Sequence, residues 1–202
     1  MMEQGSQEWF ATRAGKVTAS RVSDVIAKTK SGYSASRANY MAQLVAERLT
    51  GKPAESYSNA AMEWGAQTEP YARAAYESKA DVLVDKVAFV LHPSIEFSGA
   101  SPDGLVGGEG LLEIKCPNTA THIDYLLGKV VPSKYKPQMA WQLACTQRPW
   151  CDFVSYDPRL PERHQLFVVR YEPEAGYIQE LEAEVSKFLG EVQETLNKLE
   201  NL

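Results

Sequence analysis

The sequence has no long apolar run, no paired cysteines and no excess of positive charge, and each absence narrows what the chain can be. No stretch approaches the roughly 20 apolar residues of a membrane-spanning helix. The N-terminus lacks a basic start followed by an apolar segment, so neither a span nor an export signal is expected. Cysteine occurs three times, at Cys116, Cys145 and Cys151, without C-x-x-C spacing. An odd, scattered set supports neither a disulfide framework nor a zinc knuckle, and a reducing cytoplasm is the expected setting. Histidine is equally sparse: His92, His122 and His164 lie far apart and suggest no histidine-based site. Lys and Arg number 21 against 26 Asp and Glu, a net charge of -5 that argues against a general basic coat for nucleic acid. A local basic groove stays open, because a carboxylate-lined cation site itself makes the total more negative.

What is present reads as one globular α/β domain over residues 1–202, with 44% hydrophobic and 23% charged residues. Thr18 or Ser20 can cap a helix with apolar face Val22, Val25 and Ile26, ending near Ser31-Gly32. A second helix from about Ser36 carries the stripe Tyr40, Met41, Leu44, Val45 and Leu49 and stops at Gly51-Lys52-Pro53. A third starts near Asn59, with Pro70 expected to bend or restart it. The texture then turns to β over 82–84, 87–91, 97–100 and 111–115. Helices over 119–127 and 133–145, strands over 152–156 and 165–171, and an amphipathic helix with stripe Ile178, Leu181, Val185, Phe188, Leu189, Val192, Leu196 and Leu199 complete the order. A central mixed sheet flanked by helices suits this succession.

The chemistry concentrates between Ser101-Pro102-Asp103-Gly104 and Leu112-Glu113-Ile114-Lys115-Cys116-Pro117, two segments joined through a Gly107-Gly108 turn. The stretch reads as a hairpin. Strand side chains alternate, so Glu113 and Lys115 share a face while Ile114 enters the apolar side. Asp103 can be brought opposite Glu113. Two close carboxylates repel unless a cation lies between them, and hard oxygen ligands, to which the Ile114 carbonyl can be added, suit magnesium or manganese. Either fragment alone would be an ordinary turn or a half-exposed strand. Their combination inside an α/β pattern is more specific.

With these residues the sequence resembles the phage lambda exonuclease family (YqaJ-like viral recombinases) within the PD-(D/E)xK nuclease superfamily. The resemblance extends through Trp9-Phe10-x-x-Arg13-x-Gly15-x-x-Thr18-Ala19-Ser20, Trp64-Gly65-x-x-x-Glu69, Ser101-Pro102-Asp103-Gly104-Leu105, Leu112-Glu113-Ile114-Lys115-Cys116-Pro117 and Tyr156-Asp157-Pro158-Arg159. It implies a restriction-endonuclease-like core in which Asp103, Glu113 and Glu69 ligate the metal, two Mg2+ (or Mn2+) ions per site, and Lys115 assists the water. It places Gln138 near the water or scissile phosphate with Tyr135 beside it. Arg13, Ser20 and Ser101 become a pocket for a terminal 5′-phosphate, Met62 a wedge that opens terminal base pairs, and Lys30 a contact to DNA where the family has arginine. Gln142 departs from the aromatic residue common at its position and receives no site role.

The resemblance further implies a processive 5′-to-3′ exonuclease on double-stranded DNA with a 5′-phosphate end, releasing mononucleotides and leaving 3′ single strands for recombination. A ring-shaped homotrimer and a single-strand annealing protein are the expected assembly and partner. The alternative keeps the catalytic core in a structure-specific or restriction-like endonuclease. A third reading is a DNA-binding module without catalysis, against which the complete set of Asp103, Glu113 and Lys115 argues.

Overall fold

Apolar alternation along two central strands and amphipathic periodicity in the helices decide the layering. The structure, a computed structural model, describes residues 2–54 and 59–202. The chain runs α1 (Gln7–Arg13), β1 (Val17–Thr18), α2 (Val22–Ile26), β2 (Lys28–Thr29), β3 (Gly32–Tyr33), α3 (Ala35–Thr50) and α4 (Ala60–Ala80). It continues as β4 (Val84–Asp85), β5 (Val90–Leu91), β6 (Ser98–Ala100), β7 (Gly104–Val106), β8 (Gly110–Lys115), α5 (Thr119–Gly128), α6 (Lys136–Thr146), β9 (Trp150–Tyr156), β10 (Leu166–Tyr171) and α7 (Tyr177–Glu200). The main sheet has the order β10-β9-β8-β7-β4. β8 and β9 pair in parallel at its centre, and the other neighbours are antiparallel. A smaller sheet, β1-β6-β5, adjoins it.

Period-two alternation gives the main sheet two buried faces. On one, Val106, Leu112, Ile114, Val154 and Tyr156 pack against Ala72 and Tyr76 of α4. On the other, Leu111, Cys151 and Phe153 join Met139, Ala140 and Leu143 of α6, backed by α3 and α7 through Tyr40, Leu44, Val185 and Phe188. Mixed sheets flanked by helices thus match the expected architecture. Among the described residues no helix is long and apolar enough to cross a membrane.

The elements differ from the sequence expectation in instructive places. The helix expected to reach Ser31-Gly32 ends at Ile26, without a side-chain cap from Thr18, and residues 28–33 form the β2–β3 hairpin. Val22 and Val25 are the residues this helix buries, and the polar turn that follows has no apolar residue to hold it on the core. Leu49, expected in the buried stripe of α3, is 53% exposed, and Leu199 is likewise exposed at the end of α7. Pro70 neither stops nor restarts α4. The carbonyl deprived of a donor belongs to Ala66, which lies on the open side of the helix where water can satisfy it. Helix α1, absent from the expectation, is nucleated by Ser6, whose Oγ accepts from the Trp9 N–H at 3.2 Å. It buries no residue fully, so no periodic stripe announces it.

A buried guanidinium ties α3 to α7. Arg37 donates to both oxygens of Glu191 at 2.6 and 3.1 Å and to the Val25 carbonyl at 3.1 Å, and lies over the rings of Tyr33 and Phe188. Deleting one partner of such a pair strands the other in a poor solvent. Glu191→Ala is expected to lower metal-free stability by about 3 kcal/mol, the lower end of the range for buried pairs because Glu191 stays partly open to water. Urea unfolding checks this, and a loss below about 0.5 kcal/mol, the size of a surface pair, would contradict it.

Candidate active site

The β7–β8 hairpin turns at Gly107, whose φ of 54° lies in the left-handed region that glycine enters without strain. From that turn the register pairs Gly104 with Leu112. One step further along, the Asp103 N–H donates to the Leu112 carbonyl at 3.1 Å, and Asp103 stands opposite Glu113. Its Oδ2 accepts the Ile114 N–H at 2.6 Å, which fixes the carboxylate against β8. Glu113 points toward α6 and is 1% exposed. Lys115, two residues on and on the same face, forms an ion pair with Glu113 Oε1. The expected juxtaposition of Asp103, Glu113 and Lys115 is therefore present at the end of β8; Asp103 and Lys115 line a groove of about 630 Å³ together with Glu69, Met62 and Tyr135, and Glu113 lies buried just behind Lys115.

The electrostatics follow from crowding. Burial, and then the neighbouring Glu113, hold the Asp103 carboxyl well above the usual carboxylate range, and Lys115 only partly offsets this. Burial alone would lower the Lys115 pKa, but Glu113 and then Asp103 outweigh it and keep the ammonium charged. Burial also pushes the adjacent Cys116 thiol up to about 12, which makes it an inert neighbour.

Helix α4 brings Glu69 to the groove from the opposite face of the sheet. Its Oε1 accepts from Arg73, one turn along, at 2.5 Å, and the same Arg73 nitrogen donates to the Asp103 carbonyl at 2.9 Å. Arg73 received no role from sequence, although the Glu69–Arg73 spacing of one helical turn is the signal that could have found it. On α6, Gln138 donates to Glu113 Oε1 at 2.7 Å and Gln142 to Glu113 Oε2 at 2.6 Å. Gln142, excluded from the expected site for departing from a family aromatic, is thus in direct contact with it. Tyr135 stacks on Phe153, and the Lys115 ammonium lies 5.1 Å from the Tyr135 ring centroid.

The donor set fits a hard divalent cation. Asp103 and Glu113 are oxygen donors forced together, and burial first, then Glu113, disfavour the charged form of Asp103, a cost that a bound cation would offset. Ile114 sends its N–H toward the β7 side, and the carbonyl of a strand residue points to the same edge as its N–H. Ile114 itself lines the groove between Asp103 and Lys115, where its carbonyl is a further oxygen donor for a cation. Among the described residues no three His, Cys, Asp or Glu side chains gather closely enough to hold a metal by themselves, and Glu69 is engaged by Arg73.

Next to the groove lies a second cavity of about 380 Å³, and Met62 borders both. Arg13 and Ser20 line it. Ser101 Oγ accepts from Arg13 Nη1 at 3.1 Å and from Trp9 Nε1 at 3.0 Å, while the Arg13 guanidinium stacks 3.9 Å over the Trp9 ring. Burial lowers the Arg13 pKa to about 10, which still leaves it cationic at neutral pH. Met62 is 56% exposed, so core packing is not its role. Lys30 lies at the tip of the β2–β3 hairpin and lines neither cavity. Arg159, unassigned from sequence beyond its motif, lines the groove, stacks 4.6 Å from the Trp64 ring centroid, and is held by the buried Asp157.

Comparison with known proteins agrees with this geometry. LHK-Exo, an alkaline exonuclease from Laribacter hongkongensis, superposes with a TM-score of 0.90 at 50% identity, covering 97% of each chain. The structure of LHK-Exo in complex with dAMP matches equally, at 51% identity. A phage-related exonuclease from Haemophilus somnus shares the fold at a TM-score of 0.70 and 15% identity, covering 92% of this chain and 95% of its own. No curated protein matches the sequence. The profile of the YqaJ-like viral recombinase domain matches residues 8–149, and with that match over most of its length the chain belongs to the YqaJ-like viral recombinase family.

Proposed function

We propose that the chain is a magnesium-dependent PD-(D/E)xK exonuclease that degrades double-stranded DNA from a 5′-phosphorylated end, releases 5′-mononucleotides and leaves a 3′ single strand. The observation that carries the reading is the convergence of Asp103, Glu113 and Lys115 at one open groove, which Asp103 and Lys115 line with Glu113 buried behind the ammonium, in a chain half identical to an exonuclease. That relative also binds dAMP, a deoxynucleoside monophosphate of the product class proposed here.

A divalent ion held by Asp103, Glu113 and the Ile114 carbonyl would supply Lewis acidity at the scissile phosphate and a more acidic water. Manganese is the proposed substitute, and Glu69 the proposed ligand for a second ion. The remaining work falls to the protein. Lys115, kept charged by its neighbours, is a fixed cation for the negative charge that grows on phosphorus oxygens in the transition state. Gln138 holds Glu113 in place, and Tyr135 walls the groove beside Lys115. Arg13 with Ser20 and Ser101 offers a guanidinium and hydroxyls to a terminal phosphate. Met62 stands between that pocket and the groove, where an apolar side chain can part the last base pair. A ring of three copies would retain duplex by enclosure rather than by basic surface, consistent with the net charge of -5, and would hand the emerging strand to an annealing protein.

The direct test follows duplexes labelled at either end, with and without magnesium, for direction and product size. Closed circular DNA should resist. Nicking of circles would favour the endonuclease alternative, and no cleavage at all would end the proposal. Arg13→Ala is expected to slow degradation of 5′-phosphorylated duplex by about tenfold to a hundredfold, the worth of a hydrogen bond to a charged group, and to bring the rates on 5′-phosphate and 5′-hydroxyl ends together. An unchanged ratio of those rates would remove the phosphate pocket.

A further inference from the structure

Glu113 is buried in the interface between β8 and α6, where a carboxylate persists only with partners for both oxygens. The two oxygens are treated differently. Oε1 meets Gln138 and Lys115, the latter a groove-lining residue, whereas among the described residues Oε2 is taken by Gln142 Nε2. Gln138 and Gln142 are one helical turn apart, so α6 presents two amides to one carboxylate. Gln142 is 0% exposed and among the described residues its own Oε1 has no hydrogen-bond partner. An amide buried with its acceptor unmet is in place for its donor, and that donor has one recipient, Glu113. Rotating the amide would set oxygen against carboxylate, so the chemistry fixes its orientation.

We infer that Gln142 is a positioning residue which commits Glu113 Oε2 to the protein interior and so leaves Oε1 as the single oxygen that Glu113 offers to the groove. The inference rests on the nuclease reading and deepens it. Glu113 acts as a one-oxygen ligand, Gln138 and Lys115 steer that oxygen, and Gln142 prevents the carboxylate from rotating to present both. A phenylalanine at position 142 could fill the space but, lacking a donor, could not hold the second oxygen.

The test uses the full chain with Gln142→Met, which keeps the volume and removes the donor, and Gln142→Asn, which keeps the amide but withdraws it by one methylene. Manganese affinity without DNA, read from free-ion electron paramagnetic resonance, is expected to weaken about tenfold in both variants, the lower end for loss of a ligand-orienting partner. On duplex, kcat is expected to fall at least as far, with KM within twofold. A residue that only filled space would lower the thermal midpoint and leave manganese affinity and kcat in Gln142→Met at wild-type values, and that result would overturn the inference. Should Gln142→Met fail to fold, Gln142→Asn decides by the same two readouts. A wild-type chain that cleaves no DNA would end the nuclease reading, while the manganese isotherms would still decide the role of Gln142.

Discussion

Lys115→Ala is expected to reduce kcat for magnesium-dependent degradation of duplex DNA by about a thousandfold, with KM for DNA changed by no more than a few-fold. The size follows from where the ammonium sits. It is enclosed with Glu113 and Asp103, its charge is secured by both, and it lines the groove beside Tyr135. A preorganised charge in such a setting acts mainly on the charge that develops during reaction, so its loss appears in kcat. Full digestion by the variant would show that the ammonium is a structural counter-ion to Glu113 and nothing more. Single-turnover rates on a 5′-phosphorylated duplex measure it without interference from product release.

Asp103→Asn should abolish cleavage while making the metal-free protein less sensitive to pH. The sign follows from linkage. A carboxyl whose folded pKa is raised contributes stability that is fully present below its unfolded pKa and is lost as pH rises through the folded pKa, because the unfolded chain sheds the proton first. Burial and Glu113 place Asp103 in this class. Asparagine cannot ionise but can still accept the Ile114 N–H through its side-chain oxygen, so the fold keeps that bond. The thermal midpoint of the variant, measured in chelator, is therefore expected to gain on wild type as pH rises above the ordinary carboxylate range. A difference that is constant or shrinks with pH would show that the carboxylate is not destabilised in the empty site. Loss of cleavage combined with retained or increased metal-free stability separates a functional acid from a structural one.

The β7–β8 hairpin was legible in the sequence because its code is short-ranged. Period-two alternation puts Glu113 and Lys115 on one face, Gly107 permits the reversal, and the two arms fix Asp103 opposite Glu113. The long helices and the strands after residue 80 were legible for the same reason, apart from their ends, whereas the two-residue strands β1, β2 and β3 are too short to show a period. What escaped was set at a distance. Gln142 contacts Glu113 across 29 positions of chain, and nothing local distinguishes it from a polar residue on an exposed helix face. Arg73 reaches the Asp103 carbonyl across 30 positions, and Arg159 finds Trp64 across the groove. Pro70 misled because a proline's effect depends on whether the freed carbonyl can find water, which sequence does not state.

Helix α4 carries Met62 and Glu69 seven residues apart, and both border the same groove. At 3.6 residues per turn this is close to two whole turns, about 10 Å along the axis. One residue added or removed between them would swing the thioether some 100° around the rod relative to the carboxylate. The segment thus behaves as a ruler graduated in double turns: a side chain along it can be exchanged without altering that spacing, but a change in its length would part the proposed wedge, Met62, from the proposed second carboxylate, Glu69.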